Sequence, residues 1–128
     1  MKYLKHYWID MDGNPCTTNN PIEKRHPEAE VAGLGVKMWL HDSDGIDVCL
    51  ATAPDTTTIP ATTYDGKPAI KELTETQYNS VLTPYNEANT LDLQANEAER
   101  EGDTDTAAAK RTAAAAKQAE VQTALDAL

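Results

Sequence analysis

Ile70-Lys71-Glu72-Leu73-Thr74-Glu75-Thr76-Gln77-Tyr78-Asn79-Ser80-Val81-Leu82 is the stretch at which this chain changes character. Thr74-Glu75-Thr76-Gln77 has the form of a capping box. The Thr74 hydroxyl is placed to accept from the Gln77 amide and the Gln77 side chain to reach back to the Thr74 amide, so two donors without a helical partner are satisfied together. A helix is predicted to start there. Tyr78, Val81 and Leu82 follow with the spacing of one apolar helical face, and Thr83-Pro84 reads as a second cap with proline at a first helical position, which predicts a restart. From Leu73 to Leu128 the only glycine is Gly102, so this whole C-terminal stretch reads as helix.

Within that arm, Tyr85, Ala88, Leu91, Ala95 and Ala98 recur at intervals of three and four residues along one stripe, while Glu87, Asp92, Glu97, Glu99 and Glu101 occupy the other face. Gly102-Asp103-Thr104-Asp105-Thr106 then combines a stop signal with start signals. Two geometries fit: the chain reverses into an antiparallel helix pair, or the helix runs through with glycine costing about 1 kcal/mol relative to alanine. The stop and start signals favour the break. Ala107 to Leu128 contains ten alanines in twenty-two residues, a strong helix by propensity, with Ala114, Val121, Leu125 and Leu128 close to one stripe. An isolated alanine helix of this length is marginal in water, and a partly frayed tail is the alternative to a packed helix. Tyr85, Leu91, Ala95, Ala98, Ala114, Val121, Leu125 and Leu128 are therefore the candidate interaction residues of the arm.

The N-terminal part alternates and is β-prone. Lys2 to Met11, with Tyr3, Tyr7, Trp8 and Ile9, suits a half-buried strand that ends at the Asp12-Gly13 turn. Cys16-Thr17-Thr18 reads as a short return strand and Pro21–Glu30 as a surface loop. Val36–His41 and Ile46–Ala51, joined by Asp42-Ser43-Asp44-Gly45, are predicted to form a hairpin, with Ile46, Val48 and Leu50 on the core side and Asp47 and Cys49 on the other. Trp39 fits either face. The proline-bracketed threonine run after Ala53 reads as a connector or edge strand. Tyr64-Asp65-Gly66-Lys67-Pro68 is a further turn, and Ala69–Leu73 a last strand. Strands first and helices last give an α+β class: a small antiparallel β domain over residues 1–72 and a helical arm over 73–128, broken near 102–105.

Composition narrows the function classes. Six basic residues face ten acidic ones up to Ile70, and five face eleven beyond it, for a net charge of −10. No basic cluster stands out to displace counterions from a phosphate backbone, so nucleic acid is not expected as a partner. The apolar runs fall far short of the roughly 20 residues of a membrane span, and the N-terminal residues lack the apolar core of a signal peptide, so a soluble chain made in the cytoplasm is expected. Phenylalanine is absent. A chain this poor in large hydrophobes builds a thin core and gains burial from other subunits.

Candidate chemistry is sparse. Cys16 and Cys49 are expected to be reduced thiols, though pairing between them is left open. With His26 and His41 they supply zinc-type donors, but no C-x-x-C or H-x-x-x-H spacing, so no zinc is expected. Trp8-Ile9-Asp10-Met11-Asp12-Gly13 and Trp39-Leu40-His41-Asp42-Ser43-Asp44-Gly45 echo one another as half-patterns of a calcium loop. The twelfth position, where a bidentate glutamate belongs, is Pro21 in one and Ala53 in the other. Both read as hairpin turns whose carboxylates bond their own backbone. No catalytic residue, metal site or cofactor site is expected.

Ile70–Leu82 resembles a segment of small tailed-bacteriophage proteins, virion components and tail-fibre assembly proteins among them, in which a short strand precedes an L-T-x-x-Q-Y/F helix followed by polar helix. The resemblance implies a phage-encoded structural or assembly role, with no catalytic residues to carry over. Two readings follow. One is a multi-copy virion subunit of the tail, collar or capsid accessory kind, which docks by its β domain and packs through its helices, either with itself or with other virion proteins. The other is a transient tail-fibre assembly chaperone that binds a fibre and is absent from the finished particle. On either reading the chain is made in the host cytoplasm, and it is located in the virion if structural.

Overall fold

A computed structural model of the chain describes residues 1–7, 35–59, 63–64, 67–68 and 70–128. Among them the order is β1 (Lys2–Tyr7), β2 (Gly35–His41), β3 (Asp47–Ala53), β4 (Thr63–Tyr64), β5 (Lys67–Pro68), β6 (Ile70–Leu73), α1 (Glu75–Arg100) and α2 (Thr104–Asp126). The α+β class is as expected: strands first, then two helices. The expected second half of the first strand, the Asp12-Gly13 turn, the Cys16–Thr18 strand and the Pro21–Glu30 loop lie outside the described residues. Two compact units emerge, Met1–Tyr78 and Asn79–Leu128.

In the first unit a four-stranded antiparallel sheet runs in the order β2-β3-β1-β6. β2 and β3 form the expected hairpin. Gly45 has φ +77°, its amide donates to the Asp42 carbonyl at 3.0 Å, and the Asp42 amide donates to the Ile46 carbonyl at 3.0 Å. A separate short hairpin pairs Thr63 with Pro68 and Tyr64 with Lys67.

The register corrects the expected one-sided core. Directly opposed residues share a face, so Tyr3, Lys5, Val48, Leu50, Met38 and Leu73 lie on one side, and Leu4, His6, Cys49, Ala51, Ala53 and Ile70 on the other. Apart from half-buried Tyr3, both sets are buried. β3 and β1 occupy the centre of the sheet, and a central strand covered on both faces loses the inside–outside alternation that marks a half-buried one. Asp47 and Cys49, read as the outer face, are accordingly buried. Trp39 sits opposite Cys49 and stays 53% exposed.

The capping box forms as the sequence specifies. The Thr74 amide donates to Gln77 Oε1 at 2.9 Å and the Gln77 amide to Thr74 Oγ1 at 3.1 Å. One turn later Tyr78 is buried, with its ring 4.9 Å from that of Tyr3 on β1, so the start of α1 is fastened to the sheet. Burial raises the pKa of Tyr78 above its ordinary value. For Tyr3, burial and then the neighbouring Glu75 carboxylate act in the same direction.

The predicted restart at Thr83-Pro84 does not occur, because α1 runs unbroken through Pro84. Proline's fixed φ is helical, so what the helix forgoes is the N–H that would reach back one turn and the room the ring takes there, a cost of about 3 kcal/mol. About two and a half capped turns before Pro84 and about four after it carry the helix past that defect.

Candidate functional site

The candidate surface is the arm, and its geometry begins at the reversal. Gly102 has φ +81°, a left-handed conformation that only glycine adopts without penalty. Its amide donates to the Glu99 carbonyl at 3.1 Å, and the Asp103 amide reaches the Ala98 carbonyl at 2.9 Å. These two bonds form a Schellman close for α1. Asp103 then caps α2: its carboxylate accepts from the Thr106 amide at 3.1 Å and from the Thr106 hydroxyl at 2.7 Å. Those bonds, the hydroxyl's first, hold the Asp103 carboxyl below the ordinary carboxylate value.

Of the two geometries open in the sequence, the chain takes the reversal. Glu87, midway along α1, pairs with Lys117, midway along α2, at 2.9 Å. Glu99, late in α1, pairs with Arg111, early in α2, and Asn96 accepts from the same guanidinium at 3.5 Å. The helices are therefore an antiparallel hairpin. Lys117 also contacts Glu120 at 3.2 Å, and the two carboxylates, Glu87 first, raise its pKa.

Burial along the hairpin repeats every seven residues: Val81, Ala88 and Ala95 in α1, and Ala107, Ala114 and Val121 in α2. A heptad keeps a stripe on one side of a helix and turned toward its neighbour. Alanines in such a seam let backbones approach closely, at the lower end of the 8–10 Å helix separations.

Of the candidate interaction residues, Ala95, Ala98, Ala114, Val121 and Leu125 are buried within the chain, whereas Tyr85, Leu91 and Leu128 are half-buried. Two positions escaped the sequence reading. Ala107 continues the seam but stands in a run of three alanines that hides its phase. Leu93, at the heptad position farthest from the seam, is 69% exposed although its neighbours in sequence suggest a polar face.

The remaining candidates are accounted for by local structure. Asp42 uses its carboxylate within its own turn, accepting from the amides of Asp44 at 3.0 Å and Ile46 at 2.9 Å. His41 Nδ1 lies 2.7 Å from Asp47 Oδ1, directly across the hairpin. Cys49 is a fully buried thiol; Cys16, His26, Asp10 and Asp12 lie outside the described residues. Among the described residues no three histidine, cysteine or carboxylate side chains are grouped to hold a metal ion, and no helix is long and apolar enough to cross a membrane. A recess of about 410 Å³ lined by Met1, Gly35, Thr52, Ala53, Pro54 and Asp55 opens beside the sheet, where the Met1 ammonium pairs with Asp55. Comparison with protein-family models, with curated proteins and with solved structures finds no match.

Proposed function

We propose that this protein is a non-catalytic structural or assembly subunit, a component of a phage virion such as a tail, collar or capsid accessory, present in several copies. The observation that carries the reading is the hairpin of α1 and α2. Its seam is built on alanines, and Val121 and Leu125 are the large side chains that α2 buries. Fully burying such a side chain contributes about 1.5–3 kcal/mol, against about 1–2 kcal/mol of backbone entropy for each residue ordered. Helical hydrogen bonds and alanine propensity offset much of that loss but leave so thin a seam marginal. Contacts with neighbouring copies supply the remainder, through Tyr85, Leu91, Leu93 and Leu128, which retain apolar surface. The resemblance of Ile70–Leu82 to small phage proteins supports the same role, and the acidic surface argues against nucleic acid as the partner.

Quantitative mass spectrometry of purified particles tests this. A stoichiometric amount of the chain is expected. Absence from particles, together with recovery from infected lysate bound to fibre protein, would replace the subunit with an assembly chaperone. Absence from both would overturn the assembly role.

A further inference from the structure

We propose that the turn at Gly102 and Asp103 is an exchange joint, across which α2 of one copy leaves its own α1 and takes the same seat on the α1 of a second copy. This deepens the assembly role and rests on it only in requiring copies of the chain to meet. Three observations carry it. The joint is minimal: α1 ends at Arg100, α2 begins at Thr104, and the single left-handed residue, Gly102, is exposed with open space around it. Short joints of this kind invite exchange between copies, because a small change in one or two dihedral angles redirects a whole element. The contacts that register the hairpin, Glu87 with Lys117 and Glu99 with Arg111, join α1 to α2, so a second copy offers the same partners. The seam presents mostly alanine, and few bulky side chains have to disengage for α2 to leave.

The joint opens by swinging rather than by fusing the helices into one rod. Ala98 and Ala107 are both buried and stand nine residues apart. At about 3.6 residues per turn this is two and a half turns, so an uninterrupted helix would present them on opposite sides. A rod could not keep both alanines covered by one neighbour, whereas a bend at Gly102 can.

Charge exchange at one pair tests this. Lys117→Glu sets a third carboxylate beside Glu87 and Glu120, and Glu87→Lys sets an ammonium against Lys117, so each variant alone should lose helicity and melt lower than the native chain. When the two full-length variants are unfolded together and refolded, both ion pairs are restored only across copies. The native Lys117 of one chain meets the native Glu87 of the other, and the two substituted positions meet each other. The expected result is a one-to-one species of at least twice the chain mass whose melting temperature returns to that of the native chain. A mixture that stays the sum of its parts, or a mixed species without that recovery, would overturn the exchange. The native chain's own molar mass, measured alongside, separates this failure from failure of the assembly role, since self-association without complementation leaves the role standing and removes the joint.

Discussion

Asp103 binds Thr106 twice, through the amide at 3.1 Å and the hydroxyl at 2.7 Å, while its own amide closes the preceding helix on Ala98. One residue thus ends α1 and begins α2, and its ionisation couples the hairpin to pH. The Asp103 carboxyl is depressed below 3.8 by those bonds. It therefore contributes stability that is complete above the unfolded value and is lost as pH falls through the folded one. Lys117 is raised above 10.5 by Glu87 and then Glu120, so its contribution is complete below that value and is lost as pH rises through the folded one. The hairpin should be most stable between these limits. Asp103→Asn keeps a good cap and should match the native chain near neutrality while flattening its acid limb, as read by circular dichroism melts at a series of pH values. An acid limb identical in both proteins would remove Asp103 from the explanation.

Replacing Gly102 or Gly45 by a residue with a Cβ should cost about 1–2 kcal/mol, the penalty of a left-handed backbone. Both have positive φ, +81° and +77°, with no neighbouring atom to obstruct a side chain, so the loss is conformational. Gly→Val should be worse than Gly→Asn at each position in urea unfolding. Equal stability of the valine and asparagine variants would contradict the turn geometry.

Thr74→Ala should destabilise α1 by about 1 kcal/mol, and Gln77→Ala should remove the returning bond. Because each side chain satisfies the other's amide, the double variant should lose less than the two single losses added together. Strict additivity would mean the reciprocal pair makes no joint contribution.

Leu4, fully buried on β1, packs with Ala53 and Ile70. Leu4→Ala should cost about 2–5 kcal/mol, enough to unfold a marginal β unit. Leu93→Glu, at a site 69% exposed, should fall within about 0.5 kcal/mol of native stability and yet weaken self-association. A Leu93→Glu chain that melts well below the native one would place Leu93 in the fold rather than at an interface.

Much of this architecture was legible in the residues. Thr74 and Gln77 announced the start of α1, Asp42–Gly45 the hairpin turn, and Gly102-Asp103 the reversal, because each is a local bonding problem that nearby side chains solve. The errors came from effects that are not local. Thr83-Pro84 has the chemistry of a helix start, but the turns on either side outweigh one missing hydrogen bond. Asp47 and Cys49 alternate with Val48 and Leu50 as an outer face would, yet the strand order puts β3 inside the sheet, where both faces are covered. The seven-residue seam was legible at Ala88, Ala95 and Ala114, which are buried as their stripes require, but not at Ala107, since alanine also fills the exposed positions beside it. Burial of Ala95, Ala98, Ala114, Val121 and Leu125 in the chain's own fold leaves Tyr85, Leu91, Leu93 and Leu128 as the apolar surface of the arm open to a partner.

Self-association of the intact chain is the claim on which the assembly role turns, and light scattering coupled to size exclusion measures it most directly. Across a range of loading concentrations the expected molar mass is at least twice the 13.9 kDa of one chain, reduced by Leu93→Glu without loss of helicity. A single species of 13.9 kDa at every concentration would contradict it.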